Sequence, residues 1–222
     1  MSRSTNSTFT CPCGTVFTSP IYEYVNVAQD LRLRYTALSG LLNVSTCPNC
    51  GRRSALAHPF IYSDPDHKLL AYVHPSTAVP EEARQLILEK LRAVYEEAEA
   101  TSYAGGSHQE INSRGKGSKQ GKGSNTDTRS RDDLPDLHVI FGIDQLHELI
   151  NSVLSQDERL GRLAFSTQSR SDAERGRMLD IARKFAAEMQ CQVDVEDLPD
   201  EYTVWLYGSR RQIGAIMREL NR

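Results

Sequence analysis

Four cysteines fall in two short motifs of a kind that binds metal ions. The motifs are Cys11-Pro12-Cys13-Gly14 and Cys47-Pro48-Asn49-Cys50-Gly51. Zinc takes four soft or borderline ligands in a tetrahedron, and cysteine thiolates close its structural sites. Two chelating pairs held apart by a folded segment supply such a ligand set. The sequence therefore predicts a metal site with Zn²⁺ as its ion and the ligands Cys11, Cys13, Cys47 and Cys50.

The two pairs differ in spacing. Cys47 and Cys50 have the Cys-x-x-Cys spacing, whereas Cys11 and Cys13 lie one residue closer together, so a different loop geometry is expected. A glycine follows each pair and allows the backbone to turn tightly around an ion. A disulfide or redox switch and an iron site are the alternatives to zinc. Three histidines could also replace a thiolate, although we place each of them on a strand or in a turn: His58, His67 and His74.

A site with four thiolates has consequences for charge and for catalysis. It leaves no open coordination position, so Lewis-acid catalysis is not expected. It also leaves a local negative charge, and Arg52 and Arg53 follow the second pair directly. We interpret these two arginines as charge compensation at the metal. The alternative is a nucleic-acid contact, although no stripe of alternating basic and aromatic residues accompanies them.

Composition restricts the function classes further. The 222 residues include 26 basic and 29 acidic side chains, for a net charge of −3, so there is no general attraction to nucleic acid. No apolar run reaches the roughly 20 residues of a membrane-spanning helix. The first eight residues lack the apolar centre of a secretory signal. Clustered cysteines without an export signal favour reduced thiolates and a cytoplasmic location.

Periodicity predicts the elements that position the cysteines. The alternation from Val16 to Val27 indicates a strand, and a short helix follows from Ala28 to Ser39. A strand from Leu41 to Thr46 leads to the second cysteine pair. A hairpin with strands Leu56–Tyr62 and Leu69–Val73 comes next, around a turn at Asp64-Pro65-Asp66. An amphipathic helix is predicted from Pro80 to Ala100, with an apolar stripe that should pack on another element.

The fold class is predicted as α+β in two domains. Residues 9–100 form a zinc-ribbon-like, β-rich module with a trailing helix. Residues 101–136 are rich in Gly, Ser and Lys and are expected to be a flexible linker. Residues 137–222 have the order β-α-β-β-α, which is typical of a small α+β sandwich with helices on one face of a sheet.

The N-terminal module resembles the CpXC domain, a bacterial and archaeal family named for two Cys-Pro-x-Cys motifs. The resemblance covers residues 8 to about 75 and rests on Cys47-Pro48-Asn49-Cys50-Gly51, the approach Leu42-Asn43-Val44 and the segment from Tyr62 to Tyr72. Residues 139–146 are also similar to the segment that comes after this module in such proteins. The first motif departs from the pattern because Cys11-Pro12-Cys13 lacks the intervening residue. The family's biochemical role is uncharacterised, so the resemblance implies zinc binding and no catalytic residue.

No other group of residues forms a recognisable catalytic set. His147-Glu148 lacks a second histidine at metalloprotease spacing, and Cys191 is interpreted as a buried core thiol. We expect no enzyme activity. The predicted function is that of a zinc-binding adaptor or assembly component with an unidentified protein partner. The alternative is nucleic-acid binding by Arg52, Arg53 and the basic residues of the linker, which are Arg114, Lys116, Lys119 and Lys122. The sequence indicates no oligomeric state.

Overall fold

The computed structural model of this chain describes residues 1–104 and 136–221. The strands in this part are β1 (Arg3–Thr10), β2 (Val16–Asn26), β3 (Val44–Thr46), β4 (Arg53–Ala55), β5 (Phe60–Asp64), β6 (Leu69–His74), β7 (Leu137–Phe141), β8 (Leu160–Thr167), β9 (Gln192–Asp197) and β10 (Tyr202–Ser209). The helices are α1 (Arg32–Leu38), α2 (Glu81–Ala104), α3 (Ile143–Val153), α4 (Asp172–Met189) and α5 (Arg210–Leu220). The fold is mixed α+β, as the sequence predicts.

A five-stranded sheet has the order β1-β2-β5-β6-β7. β1 and β2 form an antiparallel hairpin, and β2 then runs parallel to β5 over Tyr24–Asn26 and Ile61–Ser63. β5 and β6 are antiparallel, with Tyr62 opposite Ala71, which confirms the predicted hairpin. A two-stranded sheet of β3 and β4 carries the second cysteine motif.

The core of the first sheet includes residues from both halves of the chain. Val25, Tyr62 and Val73 have no exposed surface, and α3 adds Leu146 and Ile150, which are also fully buried in the same cluster. The imidazole Nε2 of His147 in α3 lies 2.8 Å from the carbonyl oxygen of Ala37 in α1. Strand β7 therefore adds the last strand to the sheet of the cysteine module, and helix α3 completes the core of that sheet.

The second sheet has the order β8-β10-β9, with β10 antiparallel to both neighbours. From β7 to α5 the order is β-α-β-α-β-β-α, which contains one helix, α4, more than the predicted order. Val204 and Leu206 of β10 are fully buried in a cluster with Ala182 of α4 and Ile216 of α5. Helix α5 begins with a capping box, in which the Ser209 hydroxyl accepts from the Gln212 N–H while the Gln212 side chain accepts from the Ser209 N–H.

Two compact units divide the chain. Met1–Thr77 and His138–Arg222 form one unit, and Ala78–Leu137 form the other. β7 and α3 share the first core with the cysteine module, and the division into domains 9–100 and 137–222 stays a sequence-based prediction. In the second unit, α2 has Glu81 and Glu82 in its first turn, and no side chain from 81 to 97 is buried. Most of the expected linker, residues 105–135, lies outside the described residues.

Several elements differ from the sequence-based expectation. β3 begins at Val44 instead of Leu41, and β5 covers Phe60–Asp64 instead of Leu56–Tyr62. β1 is not predicted, because its serines, threonines and asparagine show no apolar alternation. β4 lies in a segment without a predicted element, and α1 is shorter than predicted because residues 28–31 form turns before the helix begins. The structure thus adds two strands and changes the ends of others, and the second cysteine motif still follows the predicted strand that ends at Thr46.

A buried ion pair joins α1 to the end of β5. The Arg34 guanidinium donates to Asp64 Oδ2 from Nε at 2.9 Å and from Nη2 at 2.7 Å. Asp64 is fully buried and Arg34 is 3% exposed. The imidazole Nδ1 of His67 lies 3.1 Å from Asp64 Oδ1, and its Nε2 lies 3.4 Å from a Glu158 carboxylate oxygen. This network fixes the turn after β5 against α1 and the segment before β8.

Loss of the Asp64 charge should destabilise the protein strongly. We expect Asp64→Asn to lower the free energy of unfolding by about 3–5 kcal/mol, because it leaves the buried Arg34 charge without its partner. The measurement is urea-induced unfolding followed by circular dichroism. The matched control is Asp66→Asn in the same turn, where the side chain is exposed and a change within about 0.5 kcal/mol is expected. Equal effects of the two substitutions would contradict the role of the ion pair.

Candidate metal centre

Each cysteine pair lies at the tip of an antiparallel hairpin. In the first, β1 and β2 pair up to Thr10 opposite Val16, and the Cys11 N–H then donates to the Thr15 carbonyl at 2.9 Å. In the second, β3 and β4 pair up to Thr46 opposite Arg53, and the Cys47 N–H donates to the Arg52 carbonyl at 2.9 Å. Backbone pairing alone thus places both chelating loops.

The two loops are similar despite their different cysteine spacing. In each of them the first cysteine is buried and the second is exposed. Gly14 and Gly51 follow the second cysteines with φ of +88° and +68°, a region in which a side chain would strain the backbone. The shortened pair, Cys11 and Cys13, therefore presents its thiols as the longer pair does, in a loop that is one residue tighter.

All four sulfur atoms lie within 4.8 Å of one another. Cys11 Sγ is 3.5 Å from Cys50 Sγ, and Cys13 Sγ is 3.7 Å from Cys47 Sγ, so the short contacts join one hairpin to the other. A tetrahedral ion with metal–sulfur bonds of about 2.3 Å requires sulfurs about 3.8 Å apart. The four predicted ligands are thus brought together at a separation that fits such an ion.

Hydrogen bonds around the sulfurs favour thiolates at two positions. The Thr15 hydroxyl, 3.3 Å from Cys13 Sγ, and the Thr15 backbone lower the pKa of Cys13 to about 5. The backbone N–H of Cys50 makes the largest contribution to a lowered pKa of Cys47. Although a backbone hydrogen bond with Cys13 favours the Cys11 thiolate, burial and the neighbouring sulfurs raise the pKa of Cys11 to about 12. Full ionisation of the cluster therefore needs a bound cation.

Residues beyond the ligands are not predicted from the sequence. Asn49 donates from Nδ2 to Cys13 Sγ at 3.8 Å, across the gap between the two hairpins, and Thr15 contacts the same sulfur. Both residues are polar and lie within two positions of a ligand, which is the signal that could have indicated them. Such contacts orient and stabilise metal-bound thiolates.

The histidines considered as alternative ligands lie elsewhere. His58 Nδ1 is 2.7 Å from the Pro59 carbonyl oxygen, and His67 belongs to the Asp64 network. His74 Nδ1 lies 3.3 Å from the Ser76 carbonyl oxygen. Among residues 1–104 and 136–221, the one group of three or more metal-binding side chains is the cysteine cluster itself. Cys191, 2% exposed in the second core, is the buried thiol predicted from the sequence.

Arg53 connects the second cysteine hairpin to β9. Its guanidinium donates to both carboxylate oxygens of Asp194, at 2.8 and 2.7 Å, and to the Val195 carbonyl at 2.6 Å. Two further acidic residues of β9 are also paired, because Glu196 accepts from Trp205 Nε1 and Asp197 pairs with Arg175. Arg53 thus offsets an acidic side chain as well as lying near the thiolates.

This fold and four-cysteine site are consistent with a metal-binding protein. The family model described as CpXC protein matches residues 9–148, which is more than half of the chain. The chain therefore belongs to the CpXC family. The matched region extends through β7 into α3, the same elements that complete the first core. No curated protein and no solved structure matches the chain. Among the described residues, no helix is both long and apolar enough to cross a membrane.

Removal of two ligands should abolish metal binding. We expect about one metal ion per chain in protein purified under reducing conditions, and none in a Cys47→Ser Cys50→Ser variant. Substitution with Co²⁺ should give the absorption of a tetrahedral thiolate complex in the unmodified protein and not in the double variant. Cys191→Ala is the matched control, because this cysteine lies in the second core and should leave the metal content unchanged. Reduced protein without bound metal would contradict the assignment.

The contact between Arg53 and Asp194 should make the second sheet sensitive to the metal. The side chain of Trp205, the one tryptophan of the sequence, lies on β10 directly opposite Asp194. We expect chelation of the metal to change Trp205 fluorescence, and Arg53→Ala to reduce that change and to cost about 1 kcal/mol of stability. Arg52→Ala is the control with an unchanged response. The same fluorescence change in both variants would show that Arg53 does not transmit it.

Proposed function

We propose that the protein is a non-catalytic zinc protein that acts as an adaptor or assembly component. The observation that carries this proposal is the convergence of four thiols from two hairpin tips, with both chelating loops built by backbone pairing. In such an arrangement the ion stabilises the fold, because binding of the metal and ordering of the loops are one event.

Zinc is the ion that the donor set supports best. Four sulfur donors at tetrahedral separations suit Zn²⁺, which has no geometric preference of its own and takes thiolates readily in structural sites. Two cysteine loops at the ends of two hairpins also support the zinc-ribbon-like description of this module. With all four positions filled by thiolates, the ion has no site for water or substrate, and this supports a structural role.

The contact of Arg53 with β9 supports a role in binding a partner. The hairpin that supplies Cys47 and Cys50 also holds the second sheet through Asp194 and Val195. An ion that fixes this hairpin would therefore fix the joint surface of the two sheets. A surface that is ordered before association loses less entropy on binding, and this favours recognition of a protein partner.

The nucleic-acid alternative has weaker support. One of its two arginines, Arg53, already forms a bidentate ion pair with Asp194. The basic residues from Arg114 to Lys122 lie outside the described residues. Arg52 is exposed, but a single arginine on a chain with a net charge of −3 gives little attraction to phosphates.

A comparison of metal-loaded and metal-free bait tests the proposal. We expect the full-length zinc protein to capture a protein partner at least tenfold better than the Cys47→Ser Cys50→Ser variant does. The Cys191→Ala protein should capture as the unmodified protein does. In parallel, labelled single-stranded and double-stranded oligonucleotides should show no complex by gel shift at low salt. Failure to capture any protein would refute the adaptor role, and a complex that weakens steeply with salt would favour the alternative.

A further inference from the structure

The outer edge of β1 is a long, regular and exposed strand edge. β1 is the first strand in the order of the five-stranded sheet and pairs with β2 on its other side. Within residues 1–104 and 136–221, no strand pairs with this edge. The register with β2 runs without irregularity from Ser4 opposite Tyr22 to Thr10 opposite Val16. Ser4–Thr10 is therefore a regular template for another strand.

The hydrogen bonds at the hairpin tip show which groups face the open edge. The Cys11 N–H donates to the Thr15 carbonyl and therefore points toward β2, away from the open edge. Because backbone groups alternate in direction along an antiparallel strand, Phe9, Ser7 and Thr5 also bond to β2. The N–H and C=O groups of the even-numbered residues in the segment point to the open edge, and these residues are Ser4, Asn6, Thr8 and Thr10.

The usual protections of an edge strand are missing from Ser4–Thr10. Natural sheets protect such edges with lysines, prolines, bulges or inward-pointing charges. This segment contains no charged residue and no proline, and its one register shift lies before it, between Arg3 and Ser4. By contrast, β9 at an edge of the second sheet carries Asp194, Glu196 and Asp197.

The arm formed by β1 and the first half of β2 also lacks support from the rest of the sheet. β5 pairs with β2 from Tyr24 onward, and the Asn43 side chain bonds to the N–H and the carbonyl of Tyr22. Among the described strands, β1 alone pairs with Val16–Ile21. A two-stranded hairpin is marginally stable in water, and at least three strands are normally needed. Association of two copies through β1 would extend this two-stranded part of the sheet to four strands.

We infer that Ser4–Thr10 pairs with the same segment of a second copy of this chain. A two-fold axis perpendicular to the sheet keeps each face on its own side, so residues of equal parity lie opposite each other. Centred on Ser7, the midpoint of the regular segment, this pairs Ser4 with Thr10 and Asn6 with Thr8 through the outward backbone groups. The odd-numbered side chains lie on the opposite face of the sheet, where Thr5 lies opposite Phe9 in a favourable cross-strand pair.

A second copy fits this edge better than a charged partner does. No like charges meet in this pairing, because every residue from Ser4 to Thr10 is uncharged. Isologous pairing of one patch with itself is the usual form of a homodimer interface. The result is a four-stranded ribbon with two β1 strands at its centre, each followed by its own cysteine loop.

A charge exchange at Ser7 tests both the partner and the axis. We expect the unmodified zinc protein to have twice the chain mass by light scattering at micromolar concentration. Ser7→Lys and Ser7→Glu, each placed opposite itself at the axis, should each raise the dimer dissociation constant at least tenfold. Mixing the two variants should restore a dimer that contains one of each. Thr18→Lys and Thr18→Glu, exposed on β2 opposite Thr8, are the matched controls and should remain dimeric.

Several outcomes would overturn the inference. An unmodified protein that is monomeric at all concentrations would do so, as would dimers unaffected by either Ser7 substitution. Loss of the dimer without restoration in the mixture would place the contact elsewhere or show a local folding defect. Metal content and circular dichroism of each single variant identify such a defect, because both cysteine loops must remain formed for one ion to bind.

Discussion

The structure depends on closing one long loop, which brings Cys11 and Cys13 to Cys47 and Cys50. Sulfurs from two separate hairpins must lie within 4.8 Å of one another, and, among the described strands, no direct pairing joins β1 or β2 to β3 or β4. Although a backbone hydrogen bond with Cys13 favours the Cys11 thiolate, burial and hydrogen bonding among the sulfurs raise the pKa of Cys11 to about 12. Four thiolates at this separation would also carry a concentrated negative charge. A bound dication would remove that charge and cross-link the two hairpins at their tips. Without it, the Asn43 side chain still joins β2 to the segment before β3, through hydrogen bonds with the Tyr22 N–H and carbonyl. β-Sheet pairing decides the shape of each loop.

A second set of contacts extends this constraint to the rest of the chain. Arg53 begins β4, shortly after the second cysteine pair, and reaches Asp194 and Val195 on β9. Arg34, Asp64 and the neighbouring His67 hold α1 and the turn after β5 close to Glu158, which precedes β8. Charged groups thus attach the C-terminal sheet to the cysteine module at two places, in addition to the packing of Leu160 and Tyr207 against the first core. Each ion pair depends on correct positioning of both partners.

Local features of the structure are predictable from the sequence, and long-range pairings are not. The ligand set follows from residue type and spacing, since thiolate chemistry is the same wherever the pairs occur. The β5–β6 hairpin follows from its turn residues. The placement of β7 beside β6, and of Asp194 beside Arg53, joins positions far apart in the chain, and one sequence carries no signal for such pairs. β1 escapes prediction because a polar edge strand needs no apolar alternation.

The connectivity of the first sheet also sets an order of events during synthesis. A nascent chain that has emerged up to α2 contains β1 to β6 and all four thiols, but it lacks β7 and α3. The apolar face around Val25 and Val73 then has no cover from Leu146 and Ile150. The ribosome must add the whole segment from 105 to 135 before these residues appear. During that interval the cysteine module exposes apolar surface, and an early metal ion would hold its two hairpins together until the missing half of the core arrives.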